Sequence, residues 1–512
     1  MTERLNEFFN PLRLGSFQRR AAVSVGLVPI ADYLLFRQPI GLSLTAFVIL
    51  VAAGATFAAG ARALRSHTLV AACILIAAIL PMVDGTGPLA ILFALMGLIV
   101  FSLTTTGRFA RGAGPAPTDP VWFGLTGGGW IVRDIVAVAT RSRRTPRAPT
   151  VRGARLLTWI VPVLLFAVFL ALLSSANPLI EGWLTRYDPW ALVSDVDFPR
   201  VLFWGCVLVL VWPFIRPRIR RRIRPAALLP IEAPPVAGVP WKALVFGTAA
   251  IFRSLVLFNG LFAVQSTLDL IYLWNGATLP DHLGYAAYAH RGAYPLVVTA
   301  LLAGAFLIAA TQEGGEAARS RAIRALIHLW TAQNLLLVAS SIFRLDLYVA
   351  AYSLTYLRFA AFIWMLLTAT GLVLILVRMS LDKSNSWLIA SNFAALVCVL
   401  YVSTFVDFPG VISGYNVRHS LEMSGSGSHL DVDYLQSLGP RALPALDDYV
   451  LQGPVKPSAA ASHVCEIRRD LSTSFSAESA DWRGWSLNRW RLDRYLTSGV
   501  ADEAKANCWR MP

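Results

Sequence analysis

Apolar runs of about 20 residues recur between residues 21 and 405, and they limit what this chain can become. A helix rises about 1.5 Å per residue, so some 20 apolar residues cross the ~30 Å hydrocarbon layer of a bilayer. The runs fall at about 21–37, 39–60, 67–83, 88–106, 155–174, 200–215, 250–275, 293–311, 326–343, 357–378 and 386–405. They do not alternate, which excludes a transmembrane β-barrel. The expected fold is an all-α polytopic membrane protein with about 11 transmembrane helices. Composition agrees: 56% of residues are hydrophobic and 15% charged, where a soluble domain carries about 25% charged residues.

The charged residues set an orientation. Arg and Lys cluster at 108–155, at Arg216–Arg224, at Arg319–Arg324 and at Arg378 and Lys383. These positions share one side if the N-terminus is inside, as cytoplasmic loops rich in Arg require. Glu181, Asp188, Asp195 and Asp197 fall opposite. An odd number of spans then puts a small helical tail outside the cytoplasm. The net charge of +15 is read as Arg loops meeting anionic lipid. Nucleic acid is not an expected partner, because no soluble recognition fold accompanies the basic runs.

Four parts follow. Residues 1–106 form a four-helix transmembrane group. Residues 107–153 form a cytoplasmic basic connection, in which "LTGGGW" (Leu125–Trp130) makes a flexible turn before an interfacial amphipathic helix at Trp130–Thr140. The Gly-Lys-Ser/Thr of a phosphate loop is missing there. Residues 154–405 form a seven-helix core, and residues 406–512 form the extracytoplasmic tail, with helices expected near Leu430–Leu438, Leu443–Leu451 and Ser486–Leu496. Cys465 and Cys508 are the tail's two cysteines. Outside the cytoplasm such a pair persists as a disulfide, and that bridge is expected here.

Polar groups stand out against this background. Gln265, Asp269 and Tyr272 are spaced i, i+4, i+7 and share a helix face. Intramembrane polar groups are costly and face the bundle interior. They mark either a solute path or interhelical hydrogen bonds. "LPDHLGYAAYAHRGAYPL" (Leu279–Leu296) brings Asp281, His282, Tyr288, His290 and Arg291 into an outer loop. "RLDLYVAAYSLTYLR" brings Arg344, Asp346 and Tyr348, with Tyr352 and Tyr356 extending an aromatic stripe at the interface. Asp407, Asn416 and Arg418 open the tail. No metal is expected: His282 and His290 lack a zinc spacing, and Asp431 and Asp433 lack a calcium-loop pattern. No cofactor is implied.

"FAVQSTLDLIYLW", "YAHRGAYPL", "LLLVASSIFRLDLYVAAYSLTYLR" and "YNVRHS…LDVDYLQSLGPRALPAL" resemble, in order, the bacterial membrane-protein family known as domain of unknown function 4173, over about residues 245–450. The resemblance implies a multi-pass protein of the bacterial cell membrane and supplies no activity.

With the N-terminus inside, all these polar stretches reach the outer face. They are expected to form one site there, with Arg291, Arg344 or Arg418 paired to Asp269, Asp346 or Asp407. Three functions compete. The favoured one is a non-catalytic envelope scaffold or sensor, since the polarity gathers at one face. Its tail, where Trp482, Trp485, Trp490 and Trp509 alternate with Arg, suits a protein or glycan partner. A transporter needs a polar path through the spans, and Gln265, Gln333 and Asn334 are a thin one. An enzyme acting on lipid-linked or envelope sugar needs a base, for which Asp281, His290 and Asp407 are candidates.

Overall fold

A computed structural model describes residues 16–60, 66–105, 123, 127–131, 133–134, 197–217, 248–274, 298, 302, 320–452, 459–478 and 481–510. Every regular element among them is a helix. Among the described residues, eight helices are long and apolar enough to cross a membrane. They match eight of the eleven expected runs. A further helix, α1 (Ser16–Leu35), covers the first run but carries Arg19, Arg20 and Asp32. The runs at 155–174 and 293–311 lie outside the described residues. Large apolar side chains such as Leu257 (72% exposed) and Leu357 point outward, as lipid-facing residues do. The protein is a helical membrane protein.

The chain divides into two compact units, 1–226 with 479–489, and 227–478 with 490–512. The first unit holds α1, α2 (Leu42–Ala59), α3 (Ser66–Asp84), α4 (Pro88–Thr105) and α5 (Phe198–Ile215). Short links make α1 to α4 antiparallel in turn. Pro88 sits at the start of α4, where its missing N–H is no loss. The contacts are built from small residues: Ala52, Ala55, Ala58, Ala71, Ala90 and Ala94 are buried. In lipid, close backbone approach replaces the hydrophobic effect as the source of attraction. Gly97 of α4 shows how close: a Cβ there would lie 2.5 Å from the Ala78 Cβ. α5 runs antiparallel to α1, with Asp32 accepting from Arg200 Nε (2.8 Å) and Trp204 Nε1 (2.9 Å), and Phe17 against Trp212 at 5.9 Å.

Of the interfacial helix expected over Trp130–Thr140, residues 130, 131, 133 and 134 are described, and they are helical. Gly127–Gly129 forms a 3-10 turn. Trp130, Ile131 and Asp134 behind it are buried, and Arg133 is exposed. Asp134 accepts from Trp212 Nε1 at 3.0 Å and pairs with Arg216 at 2.9 Å. Residues 135–140 lie outside the described residues. Residues 481–489 also belong to this unit: Trp485 O accepts from Leu42 N at 2.8 Å, and Asn488 donates to the buried Asp84 at 2.8 Å.

The second unit begins with α6 (Thr248–Asp269), which continues as a π-helical turn over Leu270–Trp274. α7 (Arg321–Tyr352), α8 (Tyr356–Ser380) and α9 (Asn385–Ser403) follow. The sequence marks their starts: Ser320, Thr355 and Ser384 each accept a hydrogen bond from the backbone N–H three residues on, satisfying an otherwise unpaired helix donor. The aromatic stripe expected on one helix is split. α7 stops at Tyr352, Ser353 has φ 68°, and Tyr356 opens α8. Arg358 donates to the carbonyls of Tyr352 and Ser353, closing the end of α7, and stacks over Tyr348 at 4.6 Å.

The tail comprises α10 (Phe408–Arg418), α11 (Val432–Ser437), α12 (Leu443–Gln452), α13 (Ala459–Glu478), α14 (Leu487–Leu496) and α15 (Gly499–Arg510), with a single turn at Leu421–Ser424. Its core gathers Leu435, Leu443, Leu446, Tyr449, Val464, Ile467 and Ala504, all essentially inaccessible. Cys465 of α13 and Cys508 of α15 form a disulfide, with Cα atoms 5.4 Å apart. This tail sits on the α7–α8 turn. Asn416 Oδ1 accepts from Leu354 N at 2.7 Å, and its Nδ2 donates to Leu354 O at 2.9 Å. Tyr434 OH accepts from Tyr356 N at 3.0 Å. Asn416→Ala removes both amide contacts and leaves Leu354 unpaired in a buried place. Such losses cost about 1–3 kcal/mol per orphaned group. Trypsin should therefore release the tail of the variant faster in micelles than that of the parent, with the membrane helices left intact.

Candidate functional site

The polar groups of α6 face α7. Asn259 Nδ2 donates to Leu255 O (2.7 Å) and across to Leu326 O (3.1 Å), and Gln333 Nε2 donates back to Asn259 O at 3.3 Å. Phe258 and Phe262 pack on Trp330 at 5.2 and 5.8 Å between ring centres. Further along, Arg344 pairs with Asp269, and Gln265 Nε2 donates to the same carboxylate at 2.9 Å. Residue 259 thus lies beside 326 and 333, and residue 269 beside 344, so α6 and α7 run parallel.

The Asp269–Arg344 pair is buried, 1% and 2% exposed. It lies eight residues inside the end of α7, about 12 Å at the helical rise. Either charge alone would cost roughly 2.5–3.5 kcal/mol at the centre of a membrane helix, and an unpaired buried charge is costlier than the pair. Beyond the pair, the π-helical turn carries Tyr272, half-buried, and Trp274, whose Nε1 donates to Ser340 Oγ at 3.1 Å.

The other expected site residues make separate contacts. Asp346 is exposed, and Tyr348 carries Arg358 on its face. Asp407 accepts from Gly410 N at the start of α10 and meets Arg441 Nη1 at 3.4 Å. Arg418 faces Asp448 at 4.0 Å. Asn416 is committed to Leu354. Asp281, His282, Tyr288, His290 and Arg291 lie outside the described residues. Of the pairings considered from sequence among the described residues, Arg344 with Asp269 is the one present; Asp407 meets Arg441, which that reading left out.

Within the family models, a model described as a domain of unknown function (DUF4153) matches residues 44–449. The chain belongs to this family. DUF4153 coverage reaches back through the first unit, well beyond the stretches that resemble family 4173, and the match does not show family 4173 itself. No curated protein and no solved structure matches the chain.

A second buried ionic cluster in this DUF4153 protein escaped the sequence reading. Asp447 of α12, fully buried, takes Arg468 Nε and Nη2 from α13 and Tyr495 OH from α14 at 3.0 Å; Arg468 Nη2 also reaches Ala501 O at 2.8 Å. Asp447 stands on the apolar stripe of Leu443, Leu446 and Val450, and Arg468 between Ile467 and Leu471. A charge on an apolar stripe was the available signal. Burial pushes the Asp447 carboxyl above its ordinary range against the pull of Arg468. Burial, then the neighbouring carboxylate, pushes the Tyr495 hydroxyl well above its ordinary 10.0.

Two outcomes follow from these clusters. Asp269→Leu strands Arg344 and should lower stability in detergent by about 3–5 kcal/mol, read as the midpoint of SDS-induced unfolding. The second concerns alkali. The raised Tyr495 value means that its neutral form is bound in the fold, so its contribution is complete below pH 10 and fades as pH climbs toward the folded value. Tail unfolding followed by Trp fluorescence should steepen above pH 10, and Tyr495→Phe should flatten that slope while lowering stability at pH 7.

Proposed function

We propose that this DUF4153 protein is a non-catalytic membrane scaffold or sensor whose working part is the helical tail, held outside the cytoplasm. The observation that carries this reading is how the ionic groups near the α7–α8 turn are used. Asp269 and Arg344 neutralise each other, Asp407 caps α10, and Asn416 fastens the tail to Leu354. These contacts hold helices and tail together, and none leaves an isolated charge poised for chemistry.

The full topology belongs to the same proposal. α1 to α4 alternate and α5 is antiparallel to α1, which calls for an odd number of crossings between Thr105 and Asp197. α6 and α7 are parallel, which calls for an odd number between Trp274 and Ser320. The apolar runs at 155–174 and 293–311 supply one each. Together with α1 and the eight apolar helices they make 11 spans. The Arg-rich loops then put the N-terminus inside, against anionic lipid of a bacterial inner membrane, and the tail outside, where a protein or glycan is its partner.

A second reading, passage of a small or anionic solute along the α6–α7 seam, is favoured by one observation. The side-chain oxygens of Asn259, at this seam, and of Asn334, within α7, are buried without a hydrogen-bond partner. The third, an enzyme acting on lipid-linked or envelope sugar, rests on Asp281 and His290.

One set of strains tests these readings. A gene deletion is complemented with a chain ending at Thr404, with Asn334→Leu, and with Asp281→Asn/His290→Ala. The scaffold reading predicts failure of the truncation alone. Failure of a folded Asn334→Leu supports the solute path, and failure of the Asp281/His290 variant supports the enzyme. A cysteine placed at Ser426 should react with a membrane-impermeant maleimide in intact cells; labelling only after lysis contradicts the orientation.

A further inference from the structure

The tail contains a cavity of about 320 Å³ between α13 and α15, beside the Cys465–Cys508 bridge. That volume is at the small end of the range for ligand pockets, about 300–1,000 Å³, and suits one or two sugar rings. Three cations line it: Arg468, Arg469 and Lys505. None of its lining residues is acidic. Arg468 is 5% exposed and its guanidinium is committed to Asp447 and Ala501 O, so the charges that meet a ligand are those of the exposed Arg469 and Lys505.

The hydroxyls in the wall have a defined polarity. Ser472 and Thr473 donate to Arg469 O at 2.9 and 2.8 Å. Their protons are spent on the helix, and their oxygens remain acceptors. The cavity therefore offers positive donors for an anion and neutral acceptors for hydroxyl protons. Its lip is Trp509, 71% exposed, with the Arg469 guanidinium 5.3 Å from the ring centre. A large indole in that position carries an apolar face and a polar edge toward solvent.

We propose that this cavity binds an anionic saccharide, a sugar ring bearing a carboxylate or phosphate. The anion sits against Arg469 and Lys505, ring hydroxyls donate to Ser472 and Thr473, and the apolar face of the ring lies on Trp509. A bare anion leaves the acceptors and the indole unused; a neutral sugar leaves Arg469 and Lys505 unanswered. The same chemistry serves a free envelope sugar or a glycolipid headgroup. The inference stands on the tail's own geometry and is independent of the scaffold reading.

Saturation-transfer NMR on the full-length protein in micelles tests it, with D-glucuronate as probe and D-glucose and a hexaglutamate peptide as competitors. Glucuronate ring protons should receive saturation, and excess inorganic phosphate should reduce the signal. Trp509→Ala and the double variant Arg469→Gln/Lys505→Gln should each weaken glucuronate binding at least fivefold, with thermal unfolding unchanged because these side chains are exposed. Glucose should compete at least tenfold less well. A second arm replaces free glucuronate with micelles doped with glucuronosyl diacylglycerol: tighter binding there identifies a lipid-borne ligand, and equal binding a free one. Absence of saturation transfer, a signal indifferent to both variants, or full displacement by hexaglutamate at equal concentration overturns the proposal.

Discussion

The salt bridge between Asp269 and Arg344 fixes the second unit. It joins two helices that are parallel and separated in sequence. The pair is tolerated near a bilayer because neither charge is alone and Gln265 adds a further donor to the carboxylate. Such pairs are weak sources of stability against apolar substitutes, and their attested use is to fix register. Here a slip of one helical turn would move Asn259 from Leu326 and Gln333 as well as Asp269 from Arg344. Charge, amide contacts and the Trp330 cluster all specify the same register.

From that register the tail's position follows. α7 ends at a turn closed by Arg358, and the turn presents the backbone of Leu354 to Asn416. One amide side chain pairs with both polar groups of one backbone residue, as a neighbouring strand would. The tail's core continues that of the spans and is reinforced by the Asp447–Arg468–Tyr495 cluster and the disulfide. The DUF4153 membrane body thus carries a helical tail with its own disulfide and its own buried ion pair.

The membrane helices were legible in the sequence because length and apolarity are set directly by the bilayer. One helix start was legible at Ser486, whose hydroxyl accepts from Arg489 N at the start of α14. The polar site was legible as a set of residues on one face of α6, but not as pairs. Asp269, Asp346 and Asp407 have equal claims on a nearby Arg until packing selects among them. The aromatic stripe of Tyr348, Tyr352 and Tyr356 misled because a period of four persists across a turn that sequence hydropathy does not show. α13 and α15 were missed although α13 repeats Ala461, Val464, Ile467, Leu471 and Phe475 at helical spacing. Their polar faces and interspersed charges hide an apolar stripe narrower than that of the spans, and the cavity between them depends on their packing alone.

The central claim is that Asp269 and Arg344 serve architecture and not chemistry. Replacing both at once, Asp269→Leu with Arg344→Met, tests it most directly, because the double variant removes the charges without stranding either. The account predicts a protein as stable as the parent to within about 1 kcal/mol, since apolar replacement of a buried pair is often neutral or better, and full complementation of the deleted gene. A double variant that folds, keeps its tail protected from trypsin and still fails to complement would contradict it.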